Sequence, residues 1–173
     1  MVQMKLSFDN INSVETLFVK DSHGEYQIAS AAQILAGARK AADSLAPKGQ
    51  AFTSPQIVKD YLVAKLAGIE HEVFGIIFTD NQNKLIAYEE MFSGTIDSAA
   101  VYPREVAKTA LRLNAKAVIF THNHPSGSTE PSAADRMLTK RLKEALSLFD
   151  VNVLDHIIVA GTQTTSFAER GIL

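Results

Sequence analysis

The run EVFGIIFT, residues 72–79, is apolar at almost every position after its first glutamate. Side chains on a strand alternate between two faces. A run this uniform leaves neither face for water, so it reads as a strand covered on both sides. KAVIFT at 116–121 reads as a second buried strand, and VNVLDHIIVAG at 151–161 as a third. LIAYEEMF at 85–92 follows the turn DNQNK and pairs with the first run as a hairpin, and TTSFAERGIL at the end adds a last short strand.

Helical spacing fills the gaps between these strands. AAQILAGARKAADSLA (31–46) places Ile34, Leu35, Ala38, Ala42 and Leu45 on one face. TSPQIVKDYLVAKLAG (53–68) has Ser54 to cap it, Pro55 at its first position and Gly68 to close it, with Ile57, Tyr61, Leu62 and Leu66 inward. Pro103 opens PREVAKTALRLNA, with Val106, Ala110 and Leu113 inward and Asn114 as its stop. SAADRMLTKRLKEALSLF (132–149) is amphipathic, with Leu138, Leu142, Ala145 and Phe149 inward and Arg136, Lys140, Lys143 and Glu144 outside. The expectation is an α/β fold, a mixed β-sheet flanked by helices. TLFVKD and EYQIAS, around the turn DSHG, read as two short strands of a separate N-terminal unit. Residues 1–50 are therefore expected to be an accessory extension and 51–173 the main domain.

Directly after the second buried strand stands THNHPSGSTEPSAAD, residues 121–135. His122 and His124 are two apart, so in extended backbone they point to one face and can reach one ion. Pro125 turns the chain away. Asp135 falls in the first turn of the next helix, near enough to fold its carboxylate back to the pair. Two histidines and one carboxylate suit zinc with a fourth position for water, the arrangement of catalytic rather than structural zinc. Such an ion makes hydroxide available near neutral pH. Ser132-x-x-Asp135 also fits an acidic capping box, and a cap can orient a ligand.

Composition narrows the alternatives. The chain has no cysteine, which excludes disulfides and thiolate metal sites. A net charge of -2 gives no general pull towards nucleic acid. No uncharged apolar run approaches a membrane span, and MVQMKLSFDN has no apolar core of a signal peptide, so a cytoplasmic protein is expected.

The spacing His122-Asn123-His124, seven residues, Ser132, two residues, Asp135 resembles the JAMM motif of the MPN/JAB metalloproteases. The form HNHPSG…PS…D is most similar to their bacterial RadC branch. HEVFGIIFTD, EEMFSGTIDSAAVYPREV, LNAKAVIFTHNHPSG and VLDHIIVAGTQTTSFAERGIL resemble that branch in order, over about residues 54–173. The resemblance implies a layered, cytidine-deaminase-like architecture and one Zn²⁺ per chain on His122, His124 and Asp135. It implies an upstream glutamate that deprotonates the attacking water and passes the proton to the leaving amine. It also implies that Ser132 donates a hydrogen bond to the oxyanion. The reaction would be hydrolysis of a peptide or isopeptide bond in a protein or peptide substrate, with no membrane partner.

Glu70, Glu72, Glu89 and Glu90 are the candidates for the base. Glu72 begins the apolar run, where desolvation would raise its pKa as suits a general base, and the family places its glutamate at the start of such a strand. Glu89 and Glu90 read as an exposed hairpin edge, and His23 and His71 as solvent-facing. His156 reads as a core histidine, with a role for it or Asp155 in orienting a ligand as the alternative.

Three rival readings differ in class. A non-haem iron centre also uses two histidines and a carboxylate, but usually joins one histidine locally to the carboxylate. A DNA-repair-associated module fits the history of the RadC name; yet Gly24, Gly37 and Gly49 are too scattered for the helix-hairpin-helix of many relatives, and direct nucleic-acid binding is not expected. A non-catalytic interaction module would usually have lost the ligands, and all of them are present.

Overall fold

The computed structural model describes residues 16–93 and 101–173. The expectations for residues 1–15, for the side chain of Leu45 and for the 94–100 part of the matching stretch lie outside the described residues. The chain divides into two compact units, one up to Ile34 and one from Leu35 to Leu173. In the first, β1 (Phe18–Lys20) and β2 (Tyr26–Ile28) form an antiparallel hairpin. Its turn is held by Asp21, whose Oδ1 accepts the amides of His23 and Glu25. Helix α1 (Ala31–Leu45) follows.

The second unit is a mixed α/β domain. Its elements are α2 (Pro55–Lys65), β3 (Val73–Thr79), β4 (Leu85–Ser93), α3 (Pro103–Arg112), β5 (Ala117–Asn123), α4 (Ala133–Ser147), β6 (Asn152–Ala160) and β7 (Gln163–Ser166). The sheet runs β4-β3-β5-β6-β7. Every neighbouring pair is antiparallel except β5 and β6, which are parallel. Parallel neighbours need a long crossover, and α4 supplies it. No helix among the described residues is long and apolar enough to cross a membrane.

All seven residues of β3 and of β5 are buried, as the apolar runs require. The pleat sorts them into two cores. Phe74, Ile76, Phe78, Val118 and Phe120 pack with Val106 and Ala110 of α3 and Leu142 and Leu146 of α4. Val73, Ile77, Ile119, Ile157 and Val159 pack with Val58, Tyr61 and Leu62 of α2 and with Ala42 and Ala46. Each fully buried side chain of this size contributes about 1.5–3 kcal/mol, so both faces of the sheet are anchored. Compactness therefore starts at Leu35, ahead of residue 50, because Ala42 and Ala46 belong to the second core.

Three details of the helices differ from the sequence reading. Ser54 stands at the N-cap of α2 but makes no side-chain cap bond, so the start of that helix rests on Pro55. Val58 takes the buried place expected for Ile57, which is exposed. Phe149 is exposed because α4 ends before it; Leu146 fills the inward position instead. Asn114, as expected, stops α3 with a positive φ of 52°.

Gly75 lies in the middle of β3 beside the ring of Tyr88, and a Cβ there would collide with the phenol. Gly75→Ala is therefore expected to cost about 1–3 kcal/mol, the usual range for overpacking a close-packed core. Urea denaturation of the two proteins checks it, and equal midpoints would show that Tyr88 moves aside freely.

Candidate metal centre

His122 is on β5, fully buried, on the same face as Phe120. It stands opposite Phe74 in the β3–β5 ladder, and the two rings stack at 6.5 Å. His124 lies just past the strand end on the same face, half-buried. Asp135 is the third residue of α4 and is buried. The Nε2 atoms of the two histidines are 2.9 Å apart. Asp135 Oδ1 is 3.3 Å from His122 Nε2, and Oδ2 is 3.7 Å from His124 Nε2.

The capping box accounts for the carboxylate's position. The Ser132 amide and hydroxyl both donate to Asp135 Oδ2, at 2.8 and 2.7 Å, and the Asp135 amide donates to Ser132 Oγ at 3.1 Å. The cap expected at Ser132-x-x-Asp135 thus forms, and it sets the carboxylate beside the two histidines. Burial opposes ionisation of Asp135, but the bond and charge of His122 and the bonds from Ser132 outweigh it and hold the carboxyl well below its usual range.

The tautomers follow from the acceptors. Thr139 Oγ1 donates its one proton to the carbonyl of Asp135 at 2.6 Å. It must then accept from His156 Nδ1, also at 2.6 Å. Burial, then the charge of His122, push the pKa of His156 well below the usual imidazole value, so its Nε2 is bare and accepts from His122 Nδ1 at 2.8 Å. His124 Nδ1 donates to the carbonyl of Ser128 at 2.6 Å. Both histidines thus turn an Nε2 towards Asp135, where either a proton or a metal ion can sit.

These residues fit zinc. Ligand bonds of 2.0–2.2 Å in a tetrahedron put donor atoms about 3.3 Å apart, close to the 2.9 Å between the two Nε2 atoms and the 3.3 Å from His122 Nε2 to Asp135 Oδ1; His124 Nε2 lies 3.7 Å from the other carboxylate oxygen. Anchoring of the second imidazole nitrogen is usual for metal-ligating histidines. Glu72, one residue before β3, brings a further carboxylate: one of its oxygens and the ring nitrogens of His122 and His124 lie within 4.8 Å of one another.

The other expected residues sort as follows. Glu72 is half-buried rather than desolvated. Glu89 bonds Arg112 at 2.7 Å, and Glu70, Glu90, His23 and His71 are exposed. His156 is a core histidine, and its Nε2 bonds His122 Nδ1. Asp155 points to the opposite core face and instead binds Ser166 and the amides of His156 and Ala168. Sequence reasoning missed Thr139; its signal is its place four residues after Asp135 on the same helix face.

A mixed sheet between helices, with two histidines at a strand end meeting a carboxylate in the first turn of the next helix, defines an α/β domain of the JAB/MPN type. Residues 52–172 match the RadC-like JAB domain family. A UPF0758 protein of Vibrio cholerae is 58% identical over 126 residues, 73% of this chain and 79% of that protein. A UPF0758 protein of Methylibium petroleiphilum is 53% identical over 150 residues, 87% of this chain and 68% of that protein. A third, from Cellvibrio japonicus, is 59% identical over 125 residues, 72% of this chain and 56% of that protein. The chain belongs to the RadC-like JAB domain family.

The neutral His156 sets a pH dependence. In the unfolded chain it takes a proton near its ordinary value of 6.5, while in the fold it stays neutral. As pH falls below 6.5 the unfolded state binds the extra proton, so stability drops, by up to about 1.4 kcal/mol per pH unit for this one group. Urea titrations of the metal-free protein between pH 7.5 and 5.5 are expected to show a shallower slope for His156→Gln than for the parent. Identical slopes would mean that His156 is protonated in the fold.

Proposed function

We propose that the protein is a zinc-dependent hydrolase of peptide or isopeptide bonds, with His122, His124 and Asp135 as the metal ligands. The observation that carries this reading is the convergence of the two Nε2 atoms, 2.9 Å apart, with the Asp135 carboxylate beside both, each histidine anchored through its Nδ1. A bound zinc ion supplies a Lewis acid and makes hydroxide available near neutral pH.

The chain's own groups do the rest. Glu72 accepts a proton from the attacking water and delivers it to the leaving nitrogen, which its nearness to the two histidines permits. Ser132 donates its hydroxyl to the developing oxyanion. In the fold described here that hydroxyl donates to Asp135 Oδ2, so it must rotate towards the substrate while the Ser132 amide keeps hold of the carboxylate. The substrate is a protein or peptide. Residues 1–50 are accessory to this chemistry, since none of these groups comes from them, although Ala42 and Ala46 pack in the second core.

Metal analysis after chelator-free purification is expected to find one zinc per chain, and His122→Ala and Asp135→Ala are expected to lose it. Stoichiometric zinc in both variants would sink the ligand assignment. A chain starting at Ala51 is expected to keep zinc at reduced stability, because it lacks Ala42 and Ala46; loss of zinc from that folded chain would make the extension part of the site.

Glu72→Gln is expected to keep the metal and abolish hydrolysis of peptide and isopeptide libraries. Ser132→Ala is expected to keep the metal, to lower turnover by about a hundredfold to a thousandfold, and to lose about 1 kcal/mol of stability with its cap. A purely capping serine would change the melting point and leave turnover unchanged at a temperature where the variant is folded. Full activity in Glu72→Gln would place the base elsewhere.

A further inference from the structure

Between the two histidines stands Asn123, buried and on the opposite face of the sheet. Its Oδ1 accepts the amide of Val73 at 2.8 Å. Its Nδ2 donates to the carbonyls of His71 at 2.8 Å and Ile69 at 3.2 Å. All three bonds fall on the segment that leaves α2 and enters β3, and two of them bracket Glu72. The paired register of β3 with β5 ends at Phe74 opposite His122. Beyond that point the Asn123 side chain takes over and ties the incoming segment to β5.

We infer that Asn123 is the positioning residue of the general base: it fixes Glu72 relative to His122 and His124. The functional part of this inference rests on the hydrolase reading; the tether itself does not. The chemistry requires a primary amide. Val73 offers a donor, while Ile69 and His71 offer acceptors, and an asparagine answers both kinds from one rigid plane. An aspartate keeps the acceptor for Val73 but turns an anionic oxygen on the two carbonyls. An alanine leaves the Val73 amide and both carbonyls without these bonds.

The test uses Asn123→Ala and Asn123→Asp in the full chain. In the metal-free protein, amide exchange at Val73 is expected to rise about tenfold in Asn123→Ala, the scale of one lost hydrogen bond, while Ile76 and Ile77 in mid-strand keep their protection. Zinc stoichiometry and affinity are expected to match the parent, because neither ligand histidine loses a partner. With a peptide or isopeptide substrate, kcat is expected to fall about a hundredfold at unchanged KM, the size of loss that a misplacement of about 1 Å produces. Asn123→Asp is expected to lose as much activity although it is nearly isosteric, which separates the tether from simple packing.

Unchanged Val73 exchange overturns the tether. Parental kcat in both zinc-loaded variants overturns the positioning role, and a fall in zinc affinity matching the fall in kcat would assign Asn123 to the ligands instead. A parent that binds zinc and hydrolyses neither class of bond overturns the hydrolase reading, while faster exchange at Val73 in Asn123→Ala would still support the tether.

Discussion

A buried neutral imidazole with one proton holds the cluster together. His156 gives that proton to Thr139 and takes one from His122, and Thr139 closes the path on the carbonyl of Asp135. The chain of bonds thus begins and ends on two of the three proposed ligand residues. Reversing any one bond would set a donor against a donor or a lone pair against a lone pair. Leaving a buried group unpaired costs about 1–3 kcal/mol, so the direction of the whole chain is fixed by the two groups that cannot change, a backbone carbonyl and a hydroxyl with one hydrogen. Aromatic rings surround the path: Phe74, Phe120 and Phe167 all lie within 6 Å of the His156 ring centre. They keep water from offering substitute bonds.

The sheet makes this arrangement possible by being buried on both sides. Consecutive residues of β5 enter different cores, so His122 faces α3 and α4 while Asn123 faces the side of α2. One short stretch of strand can then serve two ends, placing imidazoles on one face and anchoring the approach to β3 on the other. A sheet with one face in water would leave Asn123 solvated, and its bonds to Ile69, His71 and Val73 would compete with water. Burial on both faces was the first thing the run EVFGIIFT implied, and it also underlies the geometry of the site.

That implication was readable because it depends on single side chains and their period. The strands, the helix starts at Pro55 and Pro103, the stop at Asn114 and the capping box at Ser132 are all local signals. What could not be read depends on neighbours distant in the chain. Ile57 and Val58 are adjacent apolar residues on one helix, and only the packing partner decides which goes under. Phe149 continues the apolar spacing of α4, but the helix ends first. Burial of His156 was expected from its strand; its bond to His122 comes from β6 lying parallel to β5, which no local pattern reveals. Thr139 was open to a spacing argument, since it follows Asp135 by four. Asn123 was not, because its partners belong to a segment some fifty positions earlier.

The Ser132–Asp135 pair shows how a local folding signal becomes part of a site. A carboxylate in the first turn of a helix is favoured by the backbone amides there, and the reciprocal cap removes most of its rotational freedom. For an ordinary helix that is a stabilising device worth about 1 kcal/mol. Here the same restriction holds Oδ1 and Oδ2 towards two imidazoles, so the freedom given up in folding need not be given up again when a ligand arrives. The Ser132 amide can keep Oδ2 in place by itself. That leaves the hydroxyl as the one member of the cap able to turn away without disturbing the carboxylate it helped to set, as its proposed role requires.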